Sequence, residues 1–228
     1  MSNLKKKLLK ALIVGKPNVG KSTLINFLVG EKVSIVSRKA QTTQKNTTGV
    51  ITKNDSQLIF FDTPGLNKIE KNIRISETFL AVAENVDVLI YMVDNRKKSQ
   101  SIDDQFSAWL NKNESRFKKK ILLVNKIDSI EKVNLFEITK KINEIINFDE
   151  TFFISLTKKS GTESFIKWID KQAYPKEWLF QENYKSNVGN KKFLSELTRE
   201  KIFEYIHEEI PYNLEIETDY IEPSSKKS

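Results

Sequence analysis

Short apolar runs alternate along the chain with stretches in which apolar residues recur every three or four positions. Polar residues bound the runs, a pattern typical of strands buried on both faces of a sheet. The runs cover residues 8–14, 50–52, 58–61, 88–93, 121–124 and 152–154. The helical spacing covers residues 22–29, 75–86, 102–110, 135–146 and 165–169. Strands that alternate with helices predict an α/β fold with a doubly wound, mostly parallel sheet.

The first predicted strand runs directly into a motif suited to a phosphate group. Residues 15–22 fit G-x-x-x-x-G-K-[ST], whose glycines allow a tight turn and a close approach of backbone N–H groups to a phosphate. We expect Lys21 to reach the β- and γ-phosphate oxygens and the Ser22 hydroxyl to bind Mg²⁺. The helix that follows adds the partial positive charge of its N-terminus. The predicted phosphate-binding residues are Gly15, Lys16, Pro17, Asn18, Val19, Gly20, Lys21, Ser22 and Thr23.

A second motif, Asp62-Thr63-Pro64-Gly65, follows the strand at 58–61. In a doubly wound sheet, ligands bind at the carboxyl ends of the strands. We therefore expect Asp62 to hold Mg²⁺ through a water molecule and the Gly65 N–H to face the γ-phosphate. Between these motifs, residues 30–46 form a polar connection too long for an ordinary loop, which suggests a functional segment.

A third motif, Asn125-Lys126-Ile127-Asp128, follows the strand at 121–124 and predicts the base. A carboxylate at Asp128 can accept hydrogen bonds from the N1–H and the exocyclic amine of guanine, and adenine offers neither donor in that geometry. A site built on such bonds can discriminate by roughly 10⁴-fold. We expect Asn125 and Lys126 to support the base and to tie this loop to the phosphate loop. Three motifs in this order, each after a buried strand, predict a guanine-nucleotide site.

Composition limits the other possibilities. The 228 residues include no cysteine and one histidine, which excludes disulfides and cysteine- or histidine-cluster metal sites. Residues 1–172 carry 30 Lys and Arg against 19 Asp and Glu, whereas residues 173–228 carry 8 against 11. The basic part favours anionic partners, with RNA and lipid headgroups left as alternatives. No apolar stretch reaches about 18 residues, so we expect a cytoplasmic protein, with the inner membrane face as a peripheral contact.

The three motifs resemble those of the translation-factor-related GTPases. Two further stretches, residues 37–43 (Ser-Arg-Lys-Ala-Gln-Thr-Thr) and residues 199–212 with their Pro211-Tyr212, are similar to the Era family of ribosome-assembly GTPases. The resemblance implies that the first switch comprises Gln41, Thr42, Thr43, Gln44 and Lys45. It also implies that Thr42 or Thr43 binds Mg²⁺ in the GTP state, with Thr43 favoured. The last guanine loop is then Ser155, Leu156 and Thr157, where Leu156 departs from the usual Ser-Ala.

The resemblance also implies how the reaction proceeds. Leu66 stands where regulatory small GTPases place the glutamine that orients the attacking water, so we expect slow GTP hydrolysis. Some relatives with asparagine at the position of Asn18 bind K⁺ there, in place of an arginine finger. The expected catalytic residues are Lys21, Asn18, Gly65 and Thr43, and the expected metal ligands are Ser22, Thr43 and Asp62.

The chain is expected to divide at a linker. Residues 1–172 form the GTPase domain, residues 173–190 a linker, and residues 191–228 the start of an α+β KH-type segment with a strand at 213–221. A KH domain grips RNA through a G-x-x-G loop, and no glycine follows Gly189. Two hypotheses follow: a monomeric GTPase switch that acts on 16S rRNA of the small ribosomal subunit, or a guanine-nucleotide-binding remnant without RNA targeting. A third class, a related GTPase of tRNA modification or the membrane, is disfavoured by Pro211-Tyr212.

Overall fold

The computed structural model describes residues 6–34, 47–62, 77–96, 102–129 and 131–187, together with residues 194–195, 197–198, 202, 214 and 216–220. The strands are β1 (Lys7–Val14), β2 (Thr47–Lys53), β3 (Ser56–Asp62), β4 (Val88–Val93), β5 (Lys119–Val124), β6 (Glu150–Phe153) and β7 (Tyr174–Pro175). The helices are α1 (Lys21–Val29), α2 (Glu77–Ala83), α3 (Asp104–Lys112), α4 (Lys132–Asn143) and α5 (Thr162–Lys171).

The strands of the described residues form one sheet in the order β2-β3-β1-β4-β5-β6, with β7 beside β1. From β3 to β6 all neighbours are parallel, whereas β2 pairs antiparallel with β3 and β7 antiparallel with β1. Parallel neighbours need crossover connections, which the helices supply. The predicted doubly wound, mostly parallel sheet is confirmed, and the carboxyl ends of its parallel strands meet at one edge.

The core lies in two layers, one on each face of the sheet. Helices α1 and α5 bury Leu24, Ile25, Phe165 and Ile169 against one face. Helices α2, α3 and α4 cover the other face with an apolar cluster that includes the Phe106 ring stacked on Tyr91. Every residue of β4 is buried, as its uninterrupted apolar run predicts.

The structure differs from the predicted elements at several ends. Strand β2 covers seven residues rather than three, because its polar ends continue the antiparallel register with β3 from Thr47 opposite Asp62 to Lys53 opposite Ser56. Helix α4 ends at Asn143, so Ile146 packs into the core from beyond the helix. The alternation at 213–221 predicts a strand, but Leu214 and residues 216–220 adopt none, and no strand of the described residues pairs with them.

The first part of the predicted linker lies on the sheet. Gln57, fully buried in β3, accepts hydrogen bonds through Oε1 from the N–H groups of Leu179 (2.9 Å) and Phe180 (3.1 Å), and its Nε2 donates to the Phe180 carbonyl (3.0 Å). Further along, the Val50 N–H of edge strand β2 donates to the Lys185 carbonyl at 2.8 Å. Residues 179–185 are thus fastened to the sheet by backbone and side-chain bonds.

Candidate active site

The predicted motifs converge at the carboxyl edge of the sheet. Gly15 follows β1, Asp62 ends β3, Asn125 follows β5, and Ser155 lies two residues after β6. The order of the strands places β1 between β3 and β4, with β5 and β6 beyond β4. This edge is where open α/β sheets bind ligands. Local sequence therefore positions each motif, and the sheet brings the motifs together.

Two glycines of the phosphate loop (residues 15–22) are required by its shape. Gly15 has φ of 155° and Gly20 has φ of 110°, a region that residues with a Cβ rarely adopt. A Cβ at Gly15 would lie 2.3 Å from the Met92 carbonyl oxygen, and one at Gly20 would lie 2.4 Å from Asn125 Nδ2. The loop backbone therefore lies against the Met92 carbonyl and the Asn125 side chain, so only glycine fits at these two positions.

Five consecutive carbonyls of the phosphate loop each accept a hydrogen bond from a side chain. The peptide unit is planar and trans, so a carbonyl held outward turns the N–H of the next residue the opposite way. Three of the five carbonyls, those of Pro17, Asn18 and Val19, bond to side chains from outside the loop. The N–H groups of the next residues, Asn18, Val19 and Gly20, are thereby turned away from those side chains and can donate to an anion. The bonds are Lys21 Nζ to Gly15 O (3.0 Å) and Lys16 O (3.2 Å), Arg96 Nη2 to Pro17 O (2.8 Å), Lys126 Nζ to Asn18 O (2.9 Å), and Asn125 Nδ2 to Val19 O (2.9 Å).

Lys21 lies buried at the base of this loop. Burial lowers the pKa of its ammonium group, the charge of Asp62 opposes that change, and the charge of Arg96 adds to it. Phosphate oxygens beside the Lys21 ammonium would favour its charged form. The buried lysine is therefore suited to an anionic ligand.

The Asp62 carboxylate is the acidic group of the site, and it is fully buried. Its Oδ2 accepts hydrogen bonds from the Ser22 hydroxyl at 2.6 Å and the Ser34 hydroxyl at 3.3 Å. Its Oδ1 accepts none from the residues that the structure describes. Burial raises the pKa of Asp62, although Lys21 and the two hydroxyls oppose that shift. A buried carboxylate oxygen without a donor, next to a hydroxyl, fits a hydrated Mg²⁺ ion.

Ser34 is a residue of this site that the sequence reasoning missed. Asn26 on α1 holds it in place, because Oδ1 of Asn26 accepts from the N–H groups of Val33 (2.8 Å) and Ser34 (2.7 Å) and Nδ2 donates to the Ser34 carbonyl (2.6 Å). No local sequence motif predicts these contacts between Asn26 and Ser34. A polar asparagine in the middle of an otherwise mostly apolar helix was the available signal.

Of the predicted base-reading residues, Asn125 and Lys126 bond to the phosphate loop. Asn125 is buried, and its Oδ1 lies 3.4 Å from the Leu156 nitrogen, which donates to it. The Leu156 side chain is buried in the core. The Ser155 hydroxyl contacts the Thr157 hydroxyl at 3.1 Å, and Asp128 lies exposed in a short 3₁₀ turn.

A second acidic residue at this edge was also missed. Asp94 follows β4 directly and is fully buried, and its carboxylate binds both Arg96 and Lys126. The rule that drew attention to Asp62, a carboxylate at the carboxyl end of a buried strand, applies equally to Asp94. Its pairing with Lys126, 32 residues further along the chain, is a tertiary contact that spacing alone does not indicate.

Several predicted site residues lie outside the described part of the chain. They are Gln41, Thr42, Thr43, Gln44, Lys45, Thr63, Pro64, Gly65 and Leu66. Their roles stay predictions.

Comparison with known proteins decides the family. A family described as "50S ribosome-binding GTPase" matches residues 10–126. GTPase Era of Bradyrhizobium sp. (strain ORS 278) is 35% identical over 209 residues, which cover 91% of this chain and 67% of the relative. GTPase Era of Bradyrhizobium diazoefficiens (strain USDA 110) is 34% identical over 218 residues, which cover 95% of this chain and 70% of the relative. The chain belongs to the Era family of GTPases.

Solved structures of Era agree with this assignment. The crystal structure of Era in complex with MgGDPNP and nucleotides 1506–1542 of 16S ribosomal RNA has a TM-score of 0.75 at 33% identity, over 90% of this chain and 70% of that one. The structure of a tyrosine-to-alanine variant of Aquifex aeolicus Era bound to GDP·AlF₄⁻ also has a TM-score of 0.75, at 34% identity, over 90% and 69% of the two chains. The predicted Era resemblance and P-loop GTPase fold are confirmed. None of the helices formed by the described residues is both long enough and apolar enough to cross a membrane.

Proposed function

We propose that the protein is a GTP-dependent switch that hydrolyses GTP to GDP and phosphate during maturation of the small ribosomal subunit. The observation that carries this proposal is the phosphate loop. Its Pro17, Asn18 and Val19 carbonyls bond to side chains from outside the loop, and the buried Lys21 ammonium lies against its Gly15 and Lys16 carbonyls. Membership of the Era family of GTPases supports the reaction. The Era relative bound to nucleotides of 16S ribosomal RNA supports the small subunit over the 50S particle of the family description.

In the proposed mechanism the chain supplies position and charge. Lys21 exchanges its bonds to the Gly15 and Lys16 carbonyls for phosphate oxygens. Ser22 and Asp62, with Thr43 by family resemblance, would hold Mg²⁺, which neutralises phosphate charge when bound. The Gly65 N–H would contact the γ-phosphate. Phosphoryl transfer depends mainly on such positioning and electrostatic stabilisation.

We assign recognition of guanine to Asp128, supported by Asn125 and Leu156. An exposed carboxylate in a short turn can accept two hydrogen bonds from the edge of the base, whereas adenine would leave that carboxylate unpaired. We expect wild-type protein to prefer GDP over ADP by about 10⁴-fold, and Asp128→Ala to lose most of this preference. Competition for fluorescent GDP measures it. Retention of the full preference by Asp128→Ala would remove Asp128 from this role.

Slow turnover and stimulation by K⁺ are further parts of the proposal. Asn18 is an exposed residue of the phosphate loop, so an ion can reach it from solvent. We expect phosphate release from GTP to be faster in KCl than in NaCl of equal concentration, and Asn18→Ala to abolish the difference. Equal rates for wild-type protein in the two salts would contradict a K⁺ site.

We further propose that the division at residues 173–190 separates the GTPase domain from a KH-type RNA-binding part, and that the protein acts as a cytoplasmic monomer. The similarity to Era covers at least 90% of the chain, which favours the assembly GTPase over a remnant without RNA targeting. We expect specific binding to an oligonucleotide from the 3′ end of 16S rRNA, with a scrambled oligonucleotide as the control. Equal affinity for the two would support the remnant, and binding to anionic vesicles alone would support a membrane contact.

A further inference from the structure

One buried carboxylate connects two cationic side chains at the edge of the active site. Asp94 Oδ2 lies 2.8 Å from Arg96 Nε and 2.7 Å from Lys126 Nζ, and its Oδ1 lies 3.1 Å from Arg96 Nε. Oδ1 also accepts the Arg96 backbone N–H at 3.1 Å. The Asp94 side chain is fully buried, whereas those of Arg96 and Lys126 are 45% and 39% exposed. Asp94 therefore fixes both cations at their inner ends.

Each cation uses another of its N–H bonds on the phosphate loop. Arg96 Nη2 donates to the Pro17 carbonyl at 2.8 Å, and Lys126 Nζ donates to the next carbonyl, that of Asn18, at 2.9 Å. Lys126 belongs to the guanine motif, whereas Arg96 belongs to no motif of the chain. Two neighbouring peptide units are thus held by two cations that share one carboxylate.

We propose that Arg96 is a positioning residue of the phosphate loop, acting through the Pro17 carbonyl. This inference rests on the proposed GTP-binding function and adds a residue to the same site. The guanidinium group is planar, so the Nε that contacts Asp94 and the Nη2 that contacts Pro17 are held in a fixed relative geometry. Because the peptide is planar, holding the Pro17 carbonyl outward directs the Asn18 N–H to the inner side of the loop, toward the phosphates.

The alternative is an ordinary surface ion pair, which contributes little. Two observations distinguish Arg96 from such a pair. Its carboxylate partner is fully buried rather than solvated, and its second bond is made to the phosphate loop rather than to water. Arg116 is a suitable comparison, because it is 43% exposed and pairs at 3.3 Å with the exposed Glu84.

The test is equilibrium binding of GDP and of inosine diphosphate to the wild-type chain and to its Arg96→Ala, Arg96→Lys and Arg116→Ala variants. We expect Arg96→Ala to weaken GDP binding about tenfold, which corresponds to ~1.4 kcal/mol. Binding of inosine diphosphate should weaken by the same factor, because Arg96 acts on the phosphate loop and not on the base. The ratio of the two affinities should therefore stay within about twofold of the wild-type ratio. Arg116→Ala should bind like wild type.

Arg96→Lys provides the conservative rescue, because Lys126 shows that one ammonium group can bind Asp94 and a loop carbonyl together. We expect it to recover part of the lost affinity, because its ammonium group keeps the charge but lacks the fixed spacing between Nε and Nη2. Asp94 keeps its ion pair with Lys126 in all Arg96 variants, so the Tm without nucleotide should change little. GDP binding by Arg96→Ala at the wild-type level, or an equal loss in Arg116→Ala, would overturn the inference. Failure of wild-type protein to bind GDP would instead overturn the proposed function.

Discussion

Gly20 shows how strictly single residues determine the active site. Its φ of 110° and the 2.4 Å that would separate a Cβ from Asn125 Nδ2 leave room only for hydrogen. Asn125 Nδ2 is also the group that holds the Val19 carbonyl at 2.9 Å. A side chain at Gly20 would therefore displace a contact between the guanine loop and the phosphate loop.

We predict that Gly20→Ala loses at least about tenfold in GDP affinity, since it combines backbone strain of about 1–2 kcal/mol with loss of the Asn125 contact. Gly30→Ala is the matched control. Gly30 also has a positive φ of 80°, but nothing lies within 4 Å of the position that a Cβ would take there, so only strain is added. The Tm should fall in both variants, whereas GDP affinity should fall only in Gly20→Ala. Equal affinities of the two variants would contradict this account.

At the scale of elements, Gln57 joins strand β3 to the chain that follows the GTPase domain. Its side chain is fully buried and bonds to Leu179, Phe180 and Thr52. The Phe180 ring stacks on Tyr184 at 4.3 Å, and this pair packs against Leu8, Val50 and Ile59. A buried amide with all its partners present orders a segment that has no regular secondary structure of its own.

We predict that Gln57→Ala lowers the free energy of unfolding by roughly 2–3 kcal/mol, because the N–H groups of Leu179 and Phe180 lose a buried acceptor. Limited proteolysis should then cut within residues 176–187 faster than in wild-type protein. Gln105→Ala, at an exposed position of α3, serves as the control. An unchanged cleavage rate in Gln57→Ala would show that the segment is held mainly by its aromatic contacts.

The elements and the motif positions could be predicted from the sequence for a physical reason. Parallel strands buried on both faces must be continuously apolar, and each motif directly follows such a run. The apolar run of β5, for example, locates the strand, and its end locates Asn125 at the carboxyl edge of the sheet. The contacts of Ser34, Asp94 and Arg96 could not be predicted in the same way. The contacts of Ser34 with Asp62, of Asp94 with Lys126 and of Arg96 with Pro17 join residues 28, 32 and 79 positions apart. No local spacing encodes which side chain will reach the Pro17 carbonyl.

On the scale of the whole molecule, ion pairs link the amino-terminal ends of the strands, opposite the active site. Lys7 at the start of β1 contacts Asp55, in the turn between β2 and β3, with 2.8 Å between Nζ and Oδ2. The hydrogen bond and charge of Lys7 lower the pKa of Asp55, and those of Asp55 raise the pKa of Lys7. The pair is therefore a pH-dependent contribution to folding.

We predict that wild-type protein has a slightly higher Tm than Asp55→Asn near neutral pH, and that the difference disappears in acid. Because the pKa of Asp55 is lower in the folded protein than in the unfolded chain, its carboxylate stabilises the fold at pH values above its unfolded-state pKa. This stabilisation is lost as the pH falls through the pKa of the folded state, which lies below 3.8. The raised pKa of Lys7 maintains the pair until pH rises beyond 10.5. Both groups are solvated, so the difference is small. A Tm difference that is constant between pH 3 and pH 7 would contradict this assignment.

The central claim is that the carboxyl edge of this sheet is one guanine-nucleotide site, with Lys21 on the phosphates and Asp128 on the base. Displacement of fluorescent GDP from the purified protein in the presence of Mg²⁺ tests it most directly. We predict that GTP and GDP displace the probe from a single site, and that ATP fails to do so even at roughly 1,000-fold higher concentration. Displacement by ATP at the same concentration as GTP would contradict the account.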